Sequence, residues 1–171
     1  QKVDLSLSNA AQIFGDEAVL LQKRLPFASI WSGPSKAETA KACLVEKPEI
    51  IFVDDGFSHR KLSRQFDIVL FDASRIGNEY FREGLSSLKR AQSVILMKTQ
   101  LASVEKVQQF KAMLMQRFPH LTESIFEATS QTSLSFANTY PLFVICGIAK
   151  PESFRQSLTD KGFVIENFHA F

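Results

Sequence analysis

Two adjacent carboxylates, Asp54 and Asp55, follow four apolar residues at positions 50–53 and precede Gly56. An apolar run of that length reads as a strand buried on both faces, and glycine lets the backbone turn sharply at its end. In open α/β sheets, ligands bind in the crevice beyond the carboxyl ends of the strands. Paired acids there suit a hard cation such as Mg²⁺, held by one or two carboxylates while phosphate oxygens and waters complete its shell. The plainer alternative is a solvated turn, or acids that cap the next helix. Two further strand candidates also end in charge: residues 66–71 (FDIVLF) lead into Asp72, and residues 93–97 (SVILM) lead into Lys98. Charges of both signs on one sheet edge are what chemistry on phosphate and Mg²⁺ requires. Asp16 and Glu17 open a helical stripe of Ala18, Leu20, Leu21 and Leu25. They either complement the dipole of the first turn or, for Asp16, face the same crevice as Asp54 and Asp55.

The elements that must position these groups alternate between strand and helix. Strand signals fall at residues 27–31, 50–53, 66–71, 93–97, 124–128, 142–148 and 163–168. Helical signals fall at 10–25, 35–46, 85–90 and 103–118, with a last helix opened by Lys150-Pro151 and closed by Gly162. Ser35 with Glu38 forms a capping box, Ser103 caps the long amphipathic helix, and Pro119 stops it. Such alternation predicts an α/β fold with a mostly parallel sheet and helices on both faces. The 171 residues fit one domain. A net charge of +2, mixed along the chain without a basic block, argues against a nucleic-acid partner. Cys43 and Cys146 lie in apolar surroundings and read as buried free thiols. No metal-type Cys/His spacing, signal peptide or apolar run of spanning length occurs, which predicts a soluble piece. The phosphate-cradling pattern G-x-x-x-x-G-K-[ST] is also missing, and 7 glycines leave no other glycine-rich loop to replace it. The residues alone describe part of a nucleotide enzyme without its nucleotide grip.

At the level of motifs, the chain resembles the tetraacyldisaccharide 4'-kinases, the lipid A 4'-kinases of Gram-negative bacteria. The likeness is carried by Gly15-Asp16-Glu17 with Leu20-Leu21, by residues 53–62 (VDDGFSHRKL), by 66–70 with Asp72, by 82–91 (REGLSSLKRA), by 94–99 (VILMKT) and by 147–154 (GIAKPESF). It runs in one consistent order from about residue 13 to the end. The resemblance implies a P-loop-kinase-like fold, of which residues 1–171 hold the Walker-B-like half and a C-terminal α/β part, with the P-loop portion absent. It implies transfer of the γ-phosphate of ATP, with Mg²⁺, to the 4'-hydroxyl of a lipid disaccharide on the cytoplasmic face of the inner membrane, with peripheral membrane contact in the intact protein. By the same resemblance Asp16, in the Gly15-Asp16-Glu17 motif, is the general base. Asp54 and Asp55 hold Mg²⁺, and Ser58, His59, Arg82 and Glu83 belong to the nucleotide and metal shell, with Lys98 beside them.

The sequence departs from that pattern in four places. The P-loop and the membrane-associating amino-terminal helix are not among these residues. Position 58 is Ser where the family usually has Gln. The loop between Gly77-Asn78 and Arg82 is short, and the chain stops before a Pro-Asp-His-His segment whose histidine assists the base; His169 precedes that motif. Without that histidine and the P-loop lysine, residues 1–171 alone are expected to be inactive. Two readings from other classes compete. A phospho-receiver also gathers an acid pair, a strand-end Asp and a strand-end Lys around Mg²⁺, but it places a whole strand-helix unit between the pair and the acceptor, whereas a short basic loop separates Asp55 from Phe66. A non-catalytic binding module would use the strand-end acids as caps. The kinase reading places Asp16, Asp54 and Asp55 in one pocket.

Overall fold

Buried and open side chains alternate along the sheet strands, and this alternation decides which face is covered. The computed structural model describes residues 1–77, 83–131, 137–148 and 151–171. They form two units, Gln1–Ala128 and Thr129–Phe171. The first carries α1 (Ala10–Phe14), α2 (Asp16–Arg24), α3 (Lys36–Cys43), β1 (Ile68–Asp72), β2 (Ser93–Met97), α4 (Val104–Arg117) and β3 (Ile125–Ala128). The second carries β4 (Leu142–Cys146), α5 (Pro151–Thr159) and β5 (Ile165–Ala170).

In the first unit the strands lie in the order β1-β2-β3 and every pairing is parallel. Val94 and Leu96 of β2 are fully buried, together with Phe71 and Ile125 of its neighbours. Helix α4 covers this face with Val107, Phe110 and Leu114, whose spacing of three and four residues makes one apolar stripe. Fully burying one such side chain stabilises by roughly 2 kcal/mol. Ser103 caps α4 by accepting from the Lys106 backbone N–H at 3.3 Å, as its sequence predicts. Ile68, Leu70 and Phe126 alternate onto the opposite face and are exposed. A smaller cluster of Val3, Ala10 and Phe14 packs α1 against residues around Ile30.

The second unit is one β-α-β element. β4 and β5 pair in parallel, with a register irregularity between Leu142 and Phe143, and Val144, Leu158 and Phe163 form its core. Both cysteines are buried and unpaired. Among the described residues no helix is long and apolar enough to cross a membrane.

Three sequence expectations are corrected. Residues 50–53 are not a strand: they have no ladder partner among the described residues, and Ile50, Ile51 and Phe52 are exposed, Phe52 by 88%. An apolar run supplies side chains for a buried strand, but a strand also needs a neighbour for its backbone groups. Residues 27–31 reduce to an isolated antiparallel bridge between Trp31 and Lys2. The helix expected over 10–25 is broken by Gly15, whose φ of 89° lies outside the helical region.

Candidate functional site

The break at Gly15 has a local consequence for Asp16. It leaves Asp16 and Glu17 as the first two residues of α2, both exposed, with Asp16 Oδ1 accepting from the Glu17 N–H at 3.0 Å. Two acids in a first turn complement the helix dipole.

Asp54 and Asp55 occupy an exposed turn. Asp55 has a φ of 49°, and the Asp54 carbonyl accepts from Lys36 Nζ at 2.6 Å. Gly56 closes the turn where a Cβ would lie 3.0 Å from Val53 Cγ1 and 3.1 Å from the Val53 carbonyl oxygen, so the backbone doubles back tightly there. Ser58 and His59 follow, exposed, in a second tight turn in which the His59 N–H donates to the Gly56 carbonyl at 3.0 Å.

The C-terminal side of this double turn is held by guanidinium groups. Arg64, only 14% exposed, makes a two-point ion pair with Asp67 at 2.6 and 3.2 Å. Its Nη1 donates to the carbonyls of His59 and Leu62 at 2.8 and 2.7 Å, and its Nη2 reaches the Phe57 carbonyl at 3.5 Å. Arg90, at the end of a short 3₁₀ helix (Leu85–Arg90), donates to the same Phe57 carbonyl at 3.2 Å, and its guanidinium carbon lies 4.4 Å from the centre of the Phe57 ring. Arg90 also donates to Glu83 Oε2 at 2.9 Å, an oxygen that Arg60 shares at 3.2 Å. Beside these residues opens a cleft of about 290 Å³ lined by Arg60, Glu83, Ser86, Ser87, Lys89 and Arg90. Its lining is net positive, with two hydroxyls among the donors.

At the ends of β1 and β2, Lys98 Nζ lies 2.9 Å from Asp72 Oδ2, and the hydroxyl and N–H of Ser74 donate to Asp72 Oδ1 at 2.6 and 3.1 Å. Burial pushes the Asp72 carboxyl up, but the Ser74 and Lys98 hydrogen bonds, with the attraction of the Lys98 charge, outweigh it and hold the group below its ordinary value. Lys98 sits in the left-handed region at φ 59°. A non-glycine residue there is uncommon and is found more often at functional sites than elsewhere.

The structure therefore brings some of the expected residues together. Parallel pairing brings Asp72 to Lys98, as strand-end charges predict, and Arg90 joins the segment of Ser58 and His59 to Glu83. Asp16 does not join the acid pair in a metal-holding group: among the described residues no three His, Cys, Asp or Glu side chains gather as such a cluster. Arg82 lies outside the described residues. Arg64 and Arg90 were not singled out by sequence reasoning. Arg64 had a local signal, an Asp three residues on, whereas nothing local to Arg90 points to Phe57.

Comparison with known proteins gives one consistent result. The family model described as Tetraacyldisaccharide-1-P 4'-kinase matches residues 1–171. A tetraacyldisaccharide 4'-kinase of Bdellovibrio bacteriovorus is 31% identical over 181 residues, spanning 95% of this chain and 52% of that protein. The one from Desulfotalea psychrophila is 30% identical over 187 residues, spanning 100% of this chain and 52% of its own length. The crystal structure of LpxK from Aquifex aeolicus in complex with ATP superposes with a TM-score of 0.66 at 21% identity, covering 100% of this chain and 56% of that one. At that identity the superposition establishes the shared α/β fold. The chain spans about half the length of the curated relatives it matches, and with a match from the first residue to the last it belongs to the Tetraacyldisaccharide-1-P 4'-kinase family.

Proposed function

We propose that the protein transfers the γ-phosphate of ATP to the 4'-hydroxyl of a tetraacyldisaccharide 1-phosphate, a step of lipid A synthesis, at the cytoplasmic face of the bacterial inner membrane. The observation that carries this reading is the family match over all of residues 1–171, which takes in the acidic turn, the Arg90–Glu83 pair and the Asp72–Lys98 pair. In this reading residues 1–171 are the Walker-B-like half and the C-terminal part of a P-loop-kinase-like enzyme. The phosphate cradle and the membrane-contacting segment lie outside them, so these residues alone do not turn over.

Asp54 and Asp55 would hold Mg²⁺. Their donor set fits the ion: two adjacent carboxylates on an exposed turn leave room for phosphate oxygens and waters, which Mg²⁺ prefers to a closed protein cage. When bound, the ion would supply positive charge to offset the charge that develops on the transferring phosphate. The chain's own residues do the positioning. Gly56 and the Arg64 contacts fix the turn, and Ser58, His59, Arg82, Glu83 and Lys98 belong to the nucleotide side. Asp16, exposed and at a helix start, is the base that takes the proton of the acceptor hydroxyl once the substrate is bound.

The test is ATP-dependent phosphorylation of the tetraacyldisaccharide 1-phosphate, run with the full-length protein and with residues 1–171. Transfer by the first and not the second is the expected result. No transfer by the full-length protein, or turnover by residues 1–171, would overturn the proposal.

A further inference from the structure

We propose that Arg90 is a positioning residue that joins the two halves of the site, fixing the acidic turn and Glu83 as one unit. The inference rests on the reading of Asp54 and Asp55 as metal ligands. Arg90 touches both halves. It donates to Glu83 Oε2 at 2.9 Å and to the Phe57 carbonyl at 3.2 Å, and its guanidinium carbon lies 4.4 Å from the centre of the Phe57 ring. Phe57 is two residues past Asp55 and packs into the main apolar cluster, so its carbonyl is a fixed reference for the turn. Arg90 itself follows the buried Leu88 and precedes Ala91, which is 0% exposed, at the entrance to β2. Buried neighbours on both sides therefore hold the backbone that carries Arg90 at the entrance to β2.

Two features separate this from an ordinary surface ion pair. The Arg90 Nε is buried without a hydrogen-bond partner among the described residues. A buried donor left unpaired is unfavourable, and the side chain adopts that pose while making its contacts to Phe57 and Glu83. Arg60 offers the contrast, since it reaches the same Glu83 oxygen but is 71% exposed. Lysine cannot replace Arg90, because a single ammonium lacks the planar fork that stacks on a ring while donating in two directions.

The experiment measures Mn²⁺ affinity by electron paramagnetic resonance, and KM for Mg·ATP against kcat, in the full-length protein. Arg90→Lys is expected to weaken Mn²⁺ binding about tenfold, the usual effect of losing a group that orients a metal ligand. Arg60→Gln is expected to change it less than about twofold, as an exposed pair would. Val107→Ala, a core truncation in α4, controls for stability: it lowers the melting temperature and leaves Mn²⁺ affinity alone. Arg90→Lys combined with Glu83→Gln is expected to be no worse than the more damaging single variant, because both break one link. The proposal is overturned if Arg90→Lys only lowers stability as Val107→Ala does, or if its effect adds to that of Glu83→Gln. If the wild-type protein shows no Mn²⁺ binding, the metal-site reading fails first and takes this inference with it, an outcome distinct from a wild type that binds and a variant that binds equally well.

Discussion

Replacing Arg64 should destabilise the first unit far more than an exposed arginine would. The side chain is 14% exposed and so is its partner Asp67. It makes two contacts to the carboxylate, at 2.6 and 3.2 Å, and two strong contacts to backbone carbonyls, at 2.8 and 2.7 Å. Arg64→Met removes the donors and keeps the apolar stem, leaving a mostly buried carboxylate and two carbonyls to find water. Breaking a fully buried pair costs about 3–5 kcal/mol. With one edge of this pair wet, the low end applies, about 3 kcal/mol. For a chain of this size, that corresponds to a fall in melting temperature of roughly 6–12 °C. Arg64→Lys keeps a charge near Asp67 but loses the fork, and should fall about midway between wild type and Arg64→Met. The assay is urea unfolding followed by circular dichroism, with the m-value checked for constancy so that the midpoint shift reports stability. A loss below about 1 kcal/mol for Arg64→Met, the range of an exposed pair, would refute the claim that this guanidinium holds the turn.

Two further predictions concern the neighbouring groups. The Asp72 carboxyl is held below its ordinary value, so it contributes stability that is present above the unfolded value of about 4 and is lost as pH falls through the lower folded value; Lys98→Met should therefore flatten the acid limb of a stability-against-pH curve below about pH 5, and equal slopes in the two proteins would count against the pair. Gly56→Ala forces a Cβ against Val53 at 3.0–3.2 Å, a clash expected to cost about 1–3 kcal/mol; an unchanged melting temperature in differential scanning calorimetry would show that the turn yields easily.

Much of the fold was legible because it is written in local spacing. The strand at 93–97 is a short, mostly apolar run, the strand expected at 124–128 forms over 125–128, and α4 shows its stripe, its Ser103 cap and its Pro119 stop within one stretch of chain. The Asp72–Lys98 pair was legible at one remove, because two parallel strands bring their ends to the same edge. Residues 50–53 were misread for the converse reason. Four apolar residues satisfy the side-chain rule for a buried strand, yet whether a strand forms depends on a ladder partner that no local pattern specifies. The helix expected over 10–25 was misread because the φ of Gly15 interrupts it, and a glycine's φ is not readable from its neighbours.

The guanidinium clamps explain why the acidic turn has a defined shape although no ladder precedes it among the described residues. Backbone carbonyls that leave the sheet must still find donors. Those of Phe57, His59 and Leu62 find them in Arg64 and Arg90, which lie up to 33 residues away in the chain. The conformation of the turn is thus set from its C-terminal side, by side chains rooted next to β1 and β2. This arrangement separates two demands that conflict in a buried site. Asp54 and Asp55 stay exposed, while the carbonyls of the residues that follow them are held by guanidinium groups that are themselves largely shielded. A ladder could fix the backbone equally well, but it would draw the acids toward the sheet and raise the cost of keeping both ionised. Positioning by arginine avoids that cost, and so the sequence signature of this turn lies as much in residues 64 and 90 as in the acids themselves.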